Sequence, residues 1–275
     1  NNYFGVSQDT GSSGVAENVV LSFYIGAAVF IVTILITVFN TKEYNPEEYA
    51  EYHGKSEEIK LSMAGFKEAF RTMPPTMRQL GLVQFFSWFA LFTMWVYTTP
   101  AIANGVYMLP LSDTQSSAYN KAGDWVGVLF GVYNGVSAIY AIFLPAIVRK
   151  FGRKSTHAIS LIAGGLGLIS MSIVTDPTHL IYSMIGIGIA WASILAMPYA
   201  MISGTIPAGK MGLYMGIFNF FITLPQIINS IIGGLIVTYV FDSNPMYSIV
   251  LAGFLMLAAA VSVFYVNDGK LIRIK

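Results

Sequence analysis

Residues 84–100 read QFFSWFALFTMWVYTTP. No charge interrupts them, yet two tryptophans, a glutamine and five hydroxyl residues do. Extended to 80–103 the uncharged run is long enough, at 1.5 Å per residue, for about 36 Å of helix, more than the roughly 30 Å of a bilayer's hydrocarbon core. Similar runs recur along the 275 residues, which are 55% hydrophobic and 11% charged with a mean hydropathy of +0.63. A soluble domain is about a quarter charged. The chain is therefore read as an all-α polytopic membrane protein, because a barrel would show short alternating strands instead. Seven spans are expected, over 19–39, 80–103, 125–148, 156–174, 180–203, 211–239 and 247–266. Cysteine is absent, which excludes disulfides and thiolate metal sites. The chain begins at Asn1 without a basic start ahead of an apolar core, so no signal peptide is expected and the chain is read as a fragment.

Fourteen of the fifteen basic residues fall in connections on one side of these spans, and Lys121 stands alone on the other. By the positive-inside rule the chain's N-terminus is expected outside and its C-terminus in the cytoplasm. The one long polar connection, 40–79, holds six basic and seven acidic residues and is expected to be a solvated cytoplasmic linker with helical content. Asn45, Pro46 and Glu48 match a helix start. A second segment puts Phe66, Phe70 and Met73 on one side before Pro74 and Pro75 end it. One span, a long linker and six further spans suggest a twelve-span transporter reduced to its sixth helix and second half. The expected domains are 1–39, the outer segment and last helix of the first half; 40–79, the linker between halves; and 80–275, the six-helix second half. Seven-span receptors share this topology, but the long linker and the short loops at 175–179 and 242–246 fit a transporter better.

In the opening stretch Gln84, Trp88, Leu91, Trp95 and Thr98 follow one another at steps of four and three, which is one helix face. Sugars have apolar ring faces and polar edges, so indoles with amide and hydroxyl groups at their rim suit them. Trp88 and Trp95 stand about 10 Å apart along the axis, so both cannot sit in one interfacial belt. A second stripe runs through Gly212, Gly216, Asn219, Thr223, Gln226, Ser230 and Gly233, with Pro225 expected to kink the helix beside Gln226. Such a stripe either packs helices or lines a cavity, and both readings keep it from lipid. Gly127, Gly131 and Gly135 form a small-residue face expected to pack closely on another helix, with Tyr133, Asn134 and Ser137 as weaker cavity candidates. Trp191, Ser193 and Tyr199 rank lower, as core residues near the kinking Pro198.

No Asp, Glu, Lys or Arg lies inside these spans, and His53, His157 and His179 lack the spacing of metal ligands. Neither an enzyme, a metal, a cofactor nor a nucleic-acid partner is expected. If transport is ion-driven, the coupling residue is expected in the missing N-terminal half.

The stretches QFFSWFALFTMWVYTTPAIA at 84–103, WASILAMPYAMISGTIP at 191–207 and GLYMGIFNFFITLPQII at 212–228 resemble the major facilitator superfamily. The likeness is to its glycoside-pentoside-hexuronide and sucrose-carrier-like branch, which includes bacterial maltose and sucrose transporters. Gly212, Gly216, Asn219, Pro225 and Gln226 match that branch's glycine-rich entry, asparagine and Pro-Gln. RKFGRK, with Arg149, Lys150, Gly152, Arg153 and Lys154, is similar to the family's short cytoplasmic loop motif, although Arg149 stands where an aspartate is usual. Attraction to anionic lipid is the alternative role for that loop. The resemblance implies an alternating-access carrier of an α-glucoside such as maltose or sucrose, with a proton as coupling ion, in the bacterial cytoplasmic membrane. Carriers of non-sugar solutes and a non-transporting seven-span receptor or sensor are the alternatives.

Overall fold

The computed structural model describes residues 17–41, 45, 48, 63–114, 116–206 and 210–268. Most of these are helical, none is in a strand, and seven helices are long and apolar enough to cross a membrane. The chain divides into two compact units between Ser56 and Glu57. In the first, α1 (Glu17–Asn40) turns the polar groups of Thr33, Thr37 and Asn40 back onto its own carbonyls. Thr33 Oγ1 donates to the Val29 and Phe30 carbonyls at 3.0 and 2.8 Å, and Asn40 Nδ2 to Ile36 O at 2.8 Å, so neither needs water. Glu48 is helical, as expected there, while the rest of the proposed helix start beyond Asn45 lies outside the described residues.

The second unit opens with α2 (Met63–Arg71), where Ala69 and the following Met73 are buried and the Phe70 ring lies 6.1 Å from that of Phe221. The Phe66 side chain lies outside the described residues. Helix α3 (Pro75–Gly105) begins five residues before the expected Leu80. Pro75 sits in its first turn, where a missing N–H costs nothing. Helix α4 (Ser117–Phe151) likewise starts before the expected Trp125, because Ser116 Oγ accepts from the Tyr119 N–H at 3.1 Å. Its 35 residues extend for about 52 Å, so this helix is longer than the hydrocarbon core is thick. Helix α5 (Arg153–Ser170) ends in a 3₁₀ turn (Met171–Ile173), and a second 3₁₀ turn (Pro177–His179) leads into α6 (Leu180–Ile202). Asp176 caps that second turn. Hydrogen bonds from the Thr178 hydroxyl and backbone N–H hold its carboxyl below the usual carboxylate range. Helix α7 (Met211–Leu235) passes into a π-helical turn (Ile236–Val240), and α8 (Pro245–Val263) closes the unit.

The packing of α3 to α8 has an internal symmetry. The main contacts are α3 with α8, α5 with α6, α5 with α8, α4 with α6, and α3 with α7. Exchanging α3, α4 and α5 for α6, α7 and α8 maps this set onto itself. Because successive crossings reverse direction, α3 and α6 run oppositely, so the unit is two three-helix repeats of inverted topology, the architecture of one half of a twelve-helix carrier. Helices α5 and α8 pack at the distance their glycines allow: a Cβ on Gly253 would stand 2.8 Å from the Gly165 carbonyl oxygen, and one on Gly165 would stand 2.9 Å from that of Gly253. Helices α4 and α7, equivalent under the exchange, are the least buried of the six.

Candidate functional site

The buried seam of α3 runs through Leu80, Gln84, Ser87, Leu91, Met94 and Thr98. Trp88 and Trp95 stand to one side of it, half-buried, so the face expected as one stripe divides in two. Gln84, Leu91 and Thr98 point into the core, and the Thr98 hydroxyl bonds back to the Met94 carbonyl. The indoles meet Trp191 of α6. Ring centroids lie 6.2 Å apart for Trp88 and Trp95, 5.9 Å for Trp88 and Trp191, and 5.7 Å for Trp95 and Trp191. All three pairs are edge-to-face, at 68°, 75° and 89°, the arrangement that the ring quadrupole favours. Trp95 Nε1 donates to the Tyr133 hydroxyl of α4 at 3.2 Å, which joins a third helix to the cluster. Three of the chain's four tryptophans are gathered here. The fourth, Trp125, donates to the Pro177 carbonyl at 2.8 Å near the helix ends.

Gln84 is fully buried, and among the described residues neither its Oε1 nor its Nε2 has a partner; the buried Trp88 Nε1 has none either. An orphaned buried donor or acceptor costs about 1–3 kcal/mol. Gln84 and Trp88, one turn apart on α3, therefore hold one acceptor and two donor groups with no partner among the described residues. The site carries no charge, since no Asp, Glu, Lys or Arg is buried among the described residues.

The α7 stripe lies elsewhere. Gly212, Gly216, Asn219, Thr223 and Ser230 are exposed and Gln226 is half-buried, whereas Gly233 turns inward to Asn229 and Tyr97. Asn219 Oδ1 accepts from the Tyr199 hydroxyl of α6 at 3.4 Å, and Gln226 Nε2 donates to the Ile222 carbonyl at 3.0 Å. Pro225 lies buried within α7, which continues past it to Leu235. On α4, Gly127, Gly131, Asn134 and Gly135 are exposed, with Asn134 Nδ2 bonded to the Phe130 carbonyl at 2.8 Å. The close contact expected at these glycines does not occur within the described residues: a Cβ added at Gly127, Gly131, Gly135, Gly212 or Gly216 would meet nothing within 4 Å. The reason is position, since α4 and α7 lie at the rim of the unit with both stripes turned outward.

Sequence reasoning missed Asn229. Its Nδ2 reaches the Thr93 hydroxyl and the Phe89 carbonyl, tying α7 to α3. It stands off the stepped stripe, so periodicity alone had no reason to select it. Ser193, ranked low, bonds the buried His157 of α5 at 2.8 Å. In the loop motif Arg149 and Lys150 are exposed, and Gly152 turns the chain at φ 81°, a left-handed conformation that glycine adopts without strain. Arg153 Nη2 pairs with Asp268 Oδ1 at 2.6 Å, and Lys154 Nζ donates to the Phe264 carbonyl at 3.0 Å. The carboxylate that the motif lacks at Arg149 thus reaches this loop from the segment after α8.

Seven apolar helices, inverted three-helix repeats and an uncharged aromatic site define a multi-pass membrane protein built like half of a secondary carrier. The chain belongs to the Major Facilitator Superfamily, whose family model matches residues 18–230 and again 101–273. It is 24% identical over 178 residues to an uncharacterized MFS-type transporter of Methanocaldococcus jannaschii, an alignment covering 64% of this chain and 45% of that protein. It is 25% identical over 140 residues to solute carrier family 45 member 3 of Mus musculus, covering 48% of this chain and 24% of that one. The chain thus spans less than half the length of these relatives.

Proposed function

We propose that this chain is the C-terminal part of a carrier that moves a sugar, an α-glucoside such as maltose or sucrose, across the cytoplasmic membrane by alternating access, with a proton. The observation that carries this reading is the indole cluster of Trp88, Trp95 and Trp191 with its unpartnered Trp88 N–H, together with the unpartnered Gln84 amide one turn earlier on α3. A neutral ligand with an apolar ring face and hydroxyl edges supplies the missing hydrogen bonds without requiring a charge. The open glycine stripes of α4 and α7 are the surfaces that the missing N-terminal half covers in this reading. Residues 1–39 then supply that half's last helix and 40–79 the linker, with the basic connections in the cytoplasm.

In cells expressing the complete reading frame, adding maltose or sucrose in weak buffer is expected to raise the external pH transiently, and a protonophore is expected to abolish the rise. Labelled sugar uptake without a pH change would remove the proton, and no uptake of either sugar would remove the substrate. Trp88→Ala and Gln226→Ala are each expected to abolish uptake while membrane expression stays at the wild-type level. Equal loss of expression would make them packing residues.

A further inference from the structure

His157 is fully buried in α5, one turn from Arg153. Its Nδ1 lies 2.8 Å from the Ser193 hydroxyl of α6, and among the described residues its Nε2 is buried without a partner. A neutral imidazole has one donor and one acceptor, and the serine hydroxyl can serve either role. The imidazolium has two N–H donors, so at least one would find no acceptor.

The surrounding polar groups are occupied. From α4, the Tyr140 hydroxyl lies 3.1 Å from Ser160 Oγ, while Arg149 and Lys150 are exposed at the helix end. From α6, the Tyr199 hydroxyl is given to Asn219. From the segment after α8, Asp268 is held by Arg153, whose Nη1 also donates to the Ala200 carbonyl at 2.7 Å. On α5 itself, Lys154 reaches Phe264 O, and the Thr156 and Ser160 hydroxyls each donate to a backbone carbonyl at 2.8 Å. Among the described residues no acceptor or carboxylate meets the buried Nε2, so the packed contact between α5 and α6 favours the neutral ring.

We propose that His157 is a proton-binding site of this half, neutral while α5 and α6 are packed and protonated at Nε2 by solvent when their cytoplasmic ends part. Re-entering the closed contact would bury the ring's positive charge with no counter-charge beside it, whereas the neutral ring carries none, so proton binding and separation of the two helices favour each other. His157 acts through α6, on which Trp191 and Ser193 lie on different sides, and so serves as a positioning residue rather than a substrate ligand. The transport consequence rests on the alternating-access reading above; the protonation itself does not.

Nitrogen-15 histidine NMR of the complete purified carrier reads the ring's protonation state directly. The His157→Gln variant assigns its signal, with Ser193→Ala as a second assignment if that variant does not fold. Because the packed contact excludes the imidazolium, the fraction of His157 imidazolium at about pH 5 is expected to be small in the wild type and larger in Gly186→Ala, whose added methyl forces α5 and α6 apart. An imidazolium fraction no larger in Gly186→Ala than in the wild type would overturn the proposal. In proteoliposomes, sugar exchange without a gradient is expected to vary with internal pH by up to about tenfold per unit, the limit for one linked proton, and to be flat in His157→Gln. A variant that keeps the wild-type profile would also overturn it. Absence of exchange at every pH would instead remove the transport reading, and the NMR comparison would still decide the site.

Discussion

Replacing Asp268 by asparagine is expected to destabilise the six-helix unit by about 2 kcal/mol, less than the roughly 3–5 kcal/mol of a fully buried ion pair because both side chains keep some exposure. Arg153 grips this carboxylate with two nitrogens, Nη2 at 2.6 Å from Oδ1 and Nε at 3.2 Å from Oδ2, while Nη1 donates to the Ala200 carbonyl at 2.7 Å. The side chains are 13% and 17% exposed, so the guanidinium left behind cannot recover its hydration. The loss also reaches the strap after α8. Asn267 accepts from the Thr76 hydroxyl and donates to Gln79 Oε1, both at 2.7 Å, and Asp268 is the next link of that strap. Arg153→Lys is expected to cost nearly as much, because an ammonium cannot reproduce a planar fork that spans a carboxylate and a carbonyl. Pairing Asp268→Leu with Arg153→Met should recover part of the loss, since neither charge then stays buried alone. Thermal unfolding of the purified protein and its double-mutant cycle measure this. A shift within about 0.5 kcal/mol for Asp268→Asn would place the pair among surface ion pairs of no structural weight.

The seven spans were legible because membrane helices are specified by length and by the absence of charge, properties of one segment at a time. Their starts were less legible. Pro75 looked like a stop for the preceding helix, but a proline in a first turn begins a helix as readily as it ends one. Polar residues such as Asn120, Lys121 and Asp124 hid the first two turns of α4, which are helical all the same. The indole site was half legible. Trp88 and Trp95 share an element, whereas Trp191 joins them only once α6 lies beside α3, a contact that no local pattern encodes. The polar stripe on α7 was visible as a pattern, but periodicity identifies a face without saying what covers it. Asp268 was the least accessible, standing 115 residues from the arginine it serves.

The glycines separate these two kinds of information, and Gly186→Ala on α6 is expected to be the most damaging glycine-to-alanine change among the described residues. Its added Cβ would collide with the backbone carbonyl of Ala163 on α5. A Cβ at Gly167 on α5 would stand 2.6 Å from the Ser183 carbonyl oxygen on α6. Both obstacles are backbone, so no rotamer change relieves them and the helices must move apart. Overpacking of this kind costs about 1–3 kcal/mol, and the changes should not add, because the first already opens the shared contact. The separation should also disturb the hydrogen bond between His157 and Ser193, which joins the same two helices. Gly131→Ala on α4 is the control, because nothing lies within 4 Å of its Cβ position. It should leave thermal unfolding of the unit unchanged. In the complete carrier, where the proposed partner half covers α4, it should slow transport, since close helix approach there depends on the missing side chain. Loss of stability at Gly186 with loss of turnover at Gly131 would show that sequence glycines of one type serve two interfaces, one within the six-helix unit and one with the proposed partner half. Equal effects at both positions would mean that α4 packs within its own half after all.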